Sequence, residues 1–361
     1  MDKTEKKQHP GEALLCEINK RGMKQKELAL RTGVSEKHIS TVINGTKDLS
    51  ASFARKLDIA LGDVIGSWAK KQAEYDAYMA ELEEQNGITD EERSILKNLK
   101  EVVNHFLKNG VMHNHCGEVE KVLQLRKILC VNNLRVIPKI SYNAAYRAQI
   151  NASTNIDPYV LFAWQRMCEI KTEESKITAD FNADKPLQLL PEFKKLMFTD
   201  NAEVMIEGLK ELFSQCGVAF EVVPHFRGAP VQGFIKLTSE ERIILCLTIR
   251  GKKADRFWFS LFHEIGHLVN GDLNSRFVDF DSVKSEMEDK ADAFARDTLI
   301  SSTRYKSFVA SGKFHLLSEI EKFSTSVGVP RWITIGRLQK DEWLDWSDFA
   351  DHIPSFEWVK D

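Results

Sequence analysis

The run Phe262-His263-Glu264-Ile265-Gly266-His267-Leu268 sets two imidazoles four residues apart, with a carboxylate beside the first. On a helix, positions i and i+4 share one face, so His263 and His267 can aim ring nitrogens at a single ion. Zn2+ suits such a pair, and a catalytic zinc takes three protein ligands and leaves one position open to water. The third ligand is expected downstream, in Glu286-Met-Glu288-Asp-Lys-Ala-Asp292-Ala-Phe-Ala295. Glu288 and Glu286 are the candidates within that run. Asp292 is placed to accept a hydrogen bond from the outer nitrogen of a ligand histidine, fixing its tautomer. Glu264 points about 100° around the helix from His263, where it can take a proton from water as general base. Peptide hydrolysis is the reaction class this set would serve.

A His-x-x-x-His pair also arises on the solvated face of an ordinary helix. Here Phe257-Trp-Phe-Ser-Leu-Phe262 before it and Leu268-Val269 after it predict a largely buried helix over 254–270. Buried His and Glu are costly unless coordinated or hydrogen-bonded. Upstream, a helix over 201–215 leads through Gly217 to three strand-like runs, Val218–Val223, Gly233–Leu237 and Arg242–Ile249, which predict a small sheet supporting the helix. His225, Tyr305 and His315 are candidates for stabilising an oxyanion, each equally readable as surface or core. Arg337 reads as structural. Trp343, Trp346, Phe356 and Trp358 read as a cap on a core or a surface for a partner.

His263-Glu-Ile-Gly-His267, then Glu288-x-x-Ala-Asp292-x-Phe-Ala295, Gly328-Val-Pro330 and Gly336-Arg-Leu-Gln339 together resemble the ImmA/IrrE metallopeptidase family, over roughly residues 200–340. Glu288 followed four residues later by Asp292 is also similar to the Glu-x-x-x-Asp arrangement of thermolysin-like enzymes. The resemblance implies zinc on His263, His267 and Glu288, Glu264 as general base, and site-specific endoproteolysis of a helix-turn-helix repressor. The chain departs from the family where Phe-Ala-x-x-Leu-Leu-Met-Pro is usual and Phe294-Ala-Arg-Asp-Thr-Leu-Ile-Ser-Ser302 stands instead.

A second constellation lies near the start. Gln25-Lys-Glu-Leu-Ala-Leu-Arg-Thr32, Gly33-Val34-Ser35 and Glu36-Lys-His-Ile-Ser-Thr-Val-Ile-Asn44-Gly45 have the spacing of a helix, a tight turn and a second helix. Leu28, Val34, Ile39 and Ile43 form the expected core, Gly33 suits the turn and Ser35 caps the second helix. Glu36, Lys37, His38, Ser40, Thr41 and Asn44 make the polar face that could reach base edges, with Gln25 and Lys47 near phosphates. With His9-Pro-Gly-Glu12, the helix at Ala54–Leu57, and Trp68 and Tyr75 beyond it, the segment resembles the repressor-like antitoxins of the HigA/VapI family over roughly the first 60 to 75 residues. That resemblance implies a homodimer on double-stranded operator DNA and a cognate toxin. Charge agrees: residues 1–61 carry 12 Lys/Arg against 8 Asp/Glu, in a chain of net charge −3.

Between the two lies a stretch rich in helix formers. Its one tempting cluster, His113-Asn-His115-Cys116, lacks the separated ligand pairs of a structural zinc site and reads as a polar turn. Six cysteines without a Cys-x-x-Cys pair read as buried, reduced small hydrophobes, and no apolar run reaches membrane-spanning length. With no signal or transit sequence, a cytoplasmic protein without membrane contact is expected. The expected fold is mainly α with a small α+β domain: a five-helix helix-turn-helix bundle over 1–75, a helical connector and dimerisation region over 76–184, a zincin-like peptidase domain over 185–345 and a tail over 346–361. Three functions fit: a DNA-binding regulator with an active peptidase that cuts a repressor, an antitoxin or itself; a repressor-antitoxin whose peptidase-like domain only senses; and a protease that merely docks on DNA.

Overall fold

The computed structural model describes residues 7–114, 117–140, 156–238, 240–273 and 286–356, and the backbone of 277–280. The chain divides into two compact units, 1–97 with 106–127, and 98–105 with 128–361.

The first unit begins with five helices: α1 (Pro10–Lys20), α2 (Gln25–Thr32), α3 (Glu36–Ile43), α4 (Ala51–Leu61) and α5 (Ser67–Asn86). Local chemistry sets their limits. The Ser35 and Ser50 hydroxyls accept the third backbone N–H of α3 and α4, and Gly33 and Gly62, both left-handed, end α2 and α4. Leu14, Ile18, Leu28, Ile39, Val42, Phe53, Leu57 and Trp68 fill the core they enclose. Asp58, buried, accepts hydrogen bonds from Gly66 N, Trp68 N and the Ser67 hydroxyl, and so fastens the start of α5 to α4. Further on come α6 (Asp90–Asn98), α7 (Lys100–Lys108), of which residues 100–105 belong to the second unit, and α8 (Glu118–Ile128). The Arg126 guanidinium grips buried Glu92 with two bonds of 2.9 and 2.6 Å, joining α8 to α6.

In the second unit α9 (Pro158–Glu173), α10 (Asp184–Leu196) and α11 (Ala202–Gln215) precede a four-stranded sheet. The strands are β1 (Val218–Val223), β2 (Val231–Leu237), β3 (Ile243–Thr248) and β4 (Phe277–Phe280), in the order β1-β3-β2-β4. β3 runs parallel to β1 and antiparallel to β2, and β2 is antiparallel to β4. All six residues of β3 are buried, as an apolar run with both faces covered requires. On one face Cys168 and Trp164 of α9 lie against Cys246 and Phe234. On the other, Phe220, Ile235 and Leu245 join Phe213 of α11 and Leu261, Phe262 and Ile265 of α12 (Ala254–Asn270) in the main core. After β4 come α13 (Glu286–Leu299), α14 (Ser302–Ala310), α15 (Leu317–Val327) and α16 (Arg331–Lys340).

The architecture is the expected one, mainly helical with a small mixed sheet, but its parts are bounded differently. Residues 76–184 do not form a separate connector. The unit division falls inside them, because α6 and α8 bury residues such as Glu92 and Val122 while α9 is the cover of the sheet. The tail is likewise integral: Ala254 N donates to Pro354 O at 2.9 Å and the Phe356 ring stands edge-on to Phe257. Trp358 lies outside the described residues. Cys168, Cys216 and Cys246 are buried as expected, whereas Cys16 and Cys130 are exposed; Cys116, with its neighbour His115, is outside the described residues. Among the described residues no helix is long and apolar enough to cross a membrane.

Candidate metal centre and nucleic-acid interface

Glu288 of α13 reaches the two histidines of α12 because the two helices approach closely. A β-carbon at Gly266 would lie 3.1 Å from the main-chain Cα of Ala291, so only glycine lets the helices meet without displacement. One turn apart on α12, His263 Nε2 and His267 Nε2 are 3.0 Å from each other, and across the contact the Glu288 carboxylate lies 3.1 Å from the first and 3.6 Å from the second. Tetrahedral coordination at zinc-like bond lengths separates ligand atoms by about 3.3 Å. The His263, His267 and Glu288 atoms all lie within 4.8 Å of one another.

The outer nitrogens decide the tautomers. His263 Nδ1 lies 2.9 Å from Asp292 Oδ1, and His267 Nδ1 lies 3.0 Å from Asp272 Oδ2. Each imidazole N–H is thus donated to a carboxylate, so both Nε2 lone pairs face the same small volume. Two lone pairs 3.0 Å apart repel unless a cation or a proton stands between them. The surrounding charge points the same way: burial would lower the His267 pKa, but bonds to Glu288 and Asp272 and the charge of Glu264 raise it. Burial would raise Glu288, yet the two histidines outweigh it and bring its carboxyl down to about 2. The residues present therefore fit a divalent cation with nitrogen and oxygen ligands.

Glu264, almost wholly buried, packs against β2, where a β-carbon at Gly233 would fall 1.7 Å from its Oε1. Asp292 follows Glu288 by one turn of α13. Glu286, the competing ligand, is exposed and paired with Lys290 at 2.8 Å, because two residues before Glu288 it lies about 200° around α13, on the opposite side of the helix. Asp272 was not anticipated. Left-handed Gly271 ends α12 and folds the chain back, so that Asp272 N also donates to His267 O at 3.1 Å; a glycine directly after a predicted helix was the available signal. Of the three oxyanion candidates, Tyr305 is buried beneath the Arg337 guanidinium, 3.9 Å from its ring centre, and His225 and His315 are exposed. Arg337 itself donates to the Arg296 and Ile300 carbonyls and so anchors the end of α13.

In the first unit, α2, the left-handed turn at Gly33 and α3 have the geometry of a helix-turn-helix. Residues 17–64 match the helix-turn-helix family. This segment is therefore a DNA-binding domain, and the protein a DNA-binding transcriptional regulator. No curated protein matches the chain. On α3, Lys37, Ser40, Thr41 and Asn44 form one stripe at helical spacing, with Ser35, Lys37 and Asn44 exposed and Thr41 half-buried. Lys47 is exposed beyond the helix and Gln25 half-buried at the start of α2. His38 departs from the expected polar face: one turn before buried Val42, it turns inward and stands edge-on to Phe53, 4.9 Å between ring centres.

Proposed function

We propose that this regulator carries a zinc-dependent endopeptidase in its second unit, with His263, His267 and Glu288 as metal ligands and Glu264 as general base. The observation that carries the reading is the tautomer-locked histidine pair converging with Glu288. Zinc held there would supply Lewis acidity, polarising a scissile carbonyl and acidifying water. Glu264 takes the proton of the attacking water and delivers it to the leaving amine. Asp272 and Asp292 keep the imidazoles oriented with their inner nitrogens turned towards Glu288.

A DNA-binding unit in the same chain favours a regulatory protein as substrate: a repressor, an antitoxin or the chain itself. Operator DNA bound by a homodimer, and a cognate toxin, belong to the same reading through the antitoxin resemblance. Exposed Ile59, Val64 and Ile65 near the turn from α4 to α5 are compatible with self-association. The test is incubation of the zinc-loaded protein with itself and with candidate repressors, beside the Glu264→Gln variant. Cleavage by the native chain alone supports the proposal; bound zinc without cleavage of any of them favours a sensor instead. On the DNA side, Lys37→Ala with Thr41→Ala should alter sequence preference in a mobility-shift assay.

A further inference from the structure

We propose that His9 is a positioning residue for DNA recognition, clamping the end of α3 to α1 and α5. The proposal rests on α3 being the helix that reads DNA. Residues 9–16 and 65–86 flank the matched helix-turn-helix segment, and His9 and Tyr75 belong to these flanks. His9 Nδ1 accepts the Gly11 N–H at 2.9 Å and so caps α1. The same ring stands edge-on to Tyr75 of α5, 4.8 Å between centres. Its Nε2 is 3.9 Å from Asp48 Oδ1, and a β-carbon at left-handed Gly45, just past the end of α3, would lie 3.8 Å from the ring.

The contact continues through the backbone. A β-carbon at Gly11 would fall 1.9 Å from the carbonyl oxygen of Val42 in the last turn of α3, so α1 starts directly against α3. Accepting from Gly11 fixes the neutral His9 tautomer with its proton on Nε2, towards Asp48. One imidazole thus meets α1, the turn after α3 and α5, and only 11% of its side chain is exposed. A simple cap needs none of the last two contacts, since Asn or Ser would suffice for α1. What the larger ring adds is a fixed placement of the segment whose polar stripe is Lys37, Ser40, Thr41 and Asn44.

The experiment uses the full chain and two duplexes: the sequence that the native protein enriches from a randomised pool, and its scrambled counterpart. His9→Ala, His9→Asn and Tyr75→Leu are compared by thermal melting and, below their melting range, by affinity for both duplexes. His9→Asn is expected to keep the α1 cap and most thermal stability, yet to bind the enriched duplex at least about tenfold more weakly, the weight of one well-made base contact. Affinity for the scrambled duplex should change less than about twofold, because phosphate contacts tolerate small displacements. Full recovery of specific binding in His9→Asn, or equal weakening on both duplexes in every variant, would overturn the proposal. A Lys37→Ala, Asn44→Ala control whose enriched sequence stays unchanged would instead remove its premise, that α3 is the reading helix.

Discussion

Gly233 of β2 lies against Glu264 of α12 so closely that a β-carbon on the glycine would sit 1.7 Å from Oε1 of the carboxylate. The strand thereby fixes where the proposed base can point. Gly233→Ala must push Glu264 aside while leaving His263, His267 and Glu288 untouched. Zinc stoichiometry by metal analysis should stay at the native value, and the cleavage rate should fall about 100-fold or more, the weight of a general base. Retained cleavage would show that Glu264 is not held by this contact.

Asp272 and Asp292 each receive an imidazole N–H. Replacing either with Asn offers the ring an amide in place of a charge and loosens the tautomer. Competition with a chromophoric chelator should show zinc affinity reduced about 10- to 100-fold in each variant. An Asp272→Asn protein that holds zinc as tightly as the native one would deprive this residue of its role.

Glu92 is fully buried and depends on the fork of Arg126. Arg126→Met takes the guanidinium away from a buried carboxylate and should cost about 3–5 kcal/mol in denaturant unfolding. Glu92→Leu combined with Arg126→Met should recover most of that loss, because two apolar side chains of similar bulk leave no charge without a partner. Equal losses in the single and double variants would mean that packing, not charge, is at stake.

Asp58 gives the first unit an acid-sensitive joint. Burial alone would raise its pKa, but hydrogen bonds from Gly66, Trp68 and Ser67 outweigh it and hold the carboxyl below its ordinary value. A depressed folded pKa contributes stability that is complete above the unfolded value, about 3.9, and is lost as pH falls through the folded one. Amide exchange at the start of α5 should therefore accelerate as pH drops below about 4, after correction for intrinsic rates. In Asp58→Asn this extra acceleration should disappear, from a lower starting stability.

Local pattern was enough for much of this protein. The spacing of Gln25–Thr32, Gly33 and Ser35–Asn44 determined a helix-turn-helix, because a left-handed glycine and a hydroxyl cap act within a few residues. The apolar flanks of His263 and His267 determined a buried helix with both rings on one face, while Asp292 was suggested by the resemblance to a Glu-x-x-x-Asp arrangement. What remained open depended on residues distant in sequence or on small backbone turns. That Glu288 reaches both histidines depends on the close approach of α12 and α13 at Gly266 and Ala291. Asp272 reached His267 only through the reversal at Gly271, and His38 turned inward because Phe53 offered it a ring. Spacing along one helix is set by covalent geometry, so sequence reveals it; the meeting of two elements is set by packing, which only the folded chain decides.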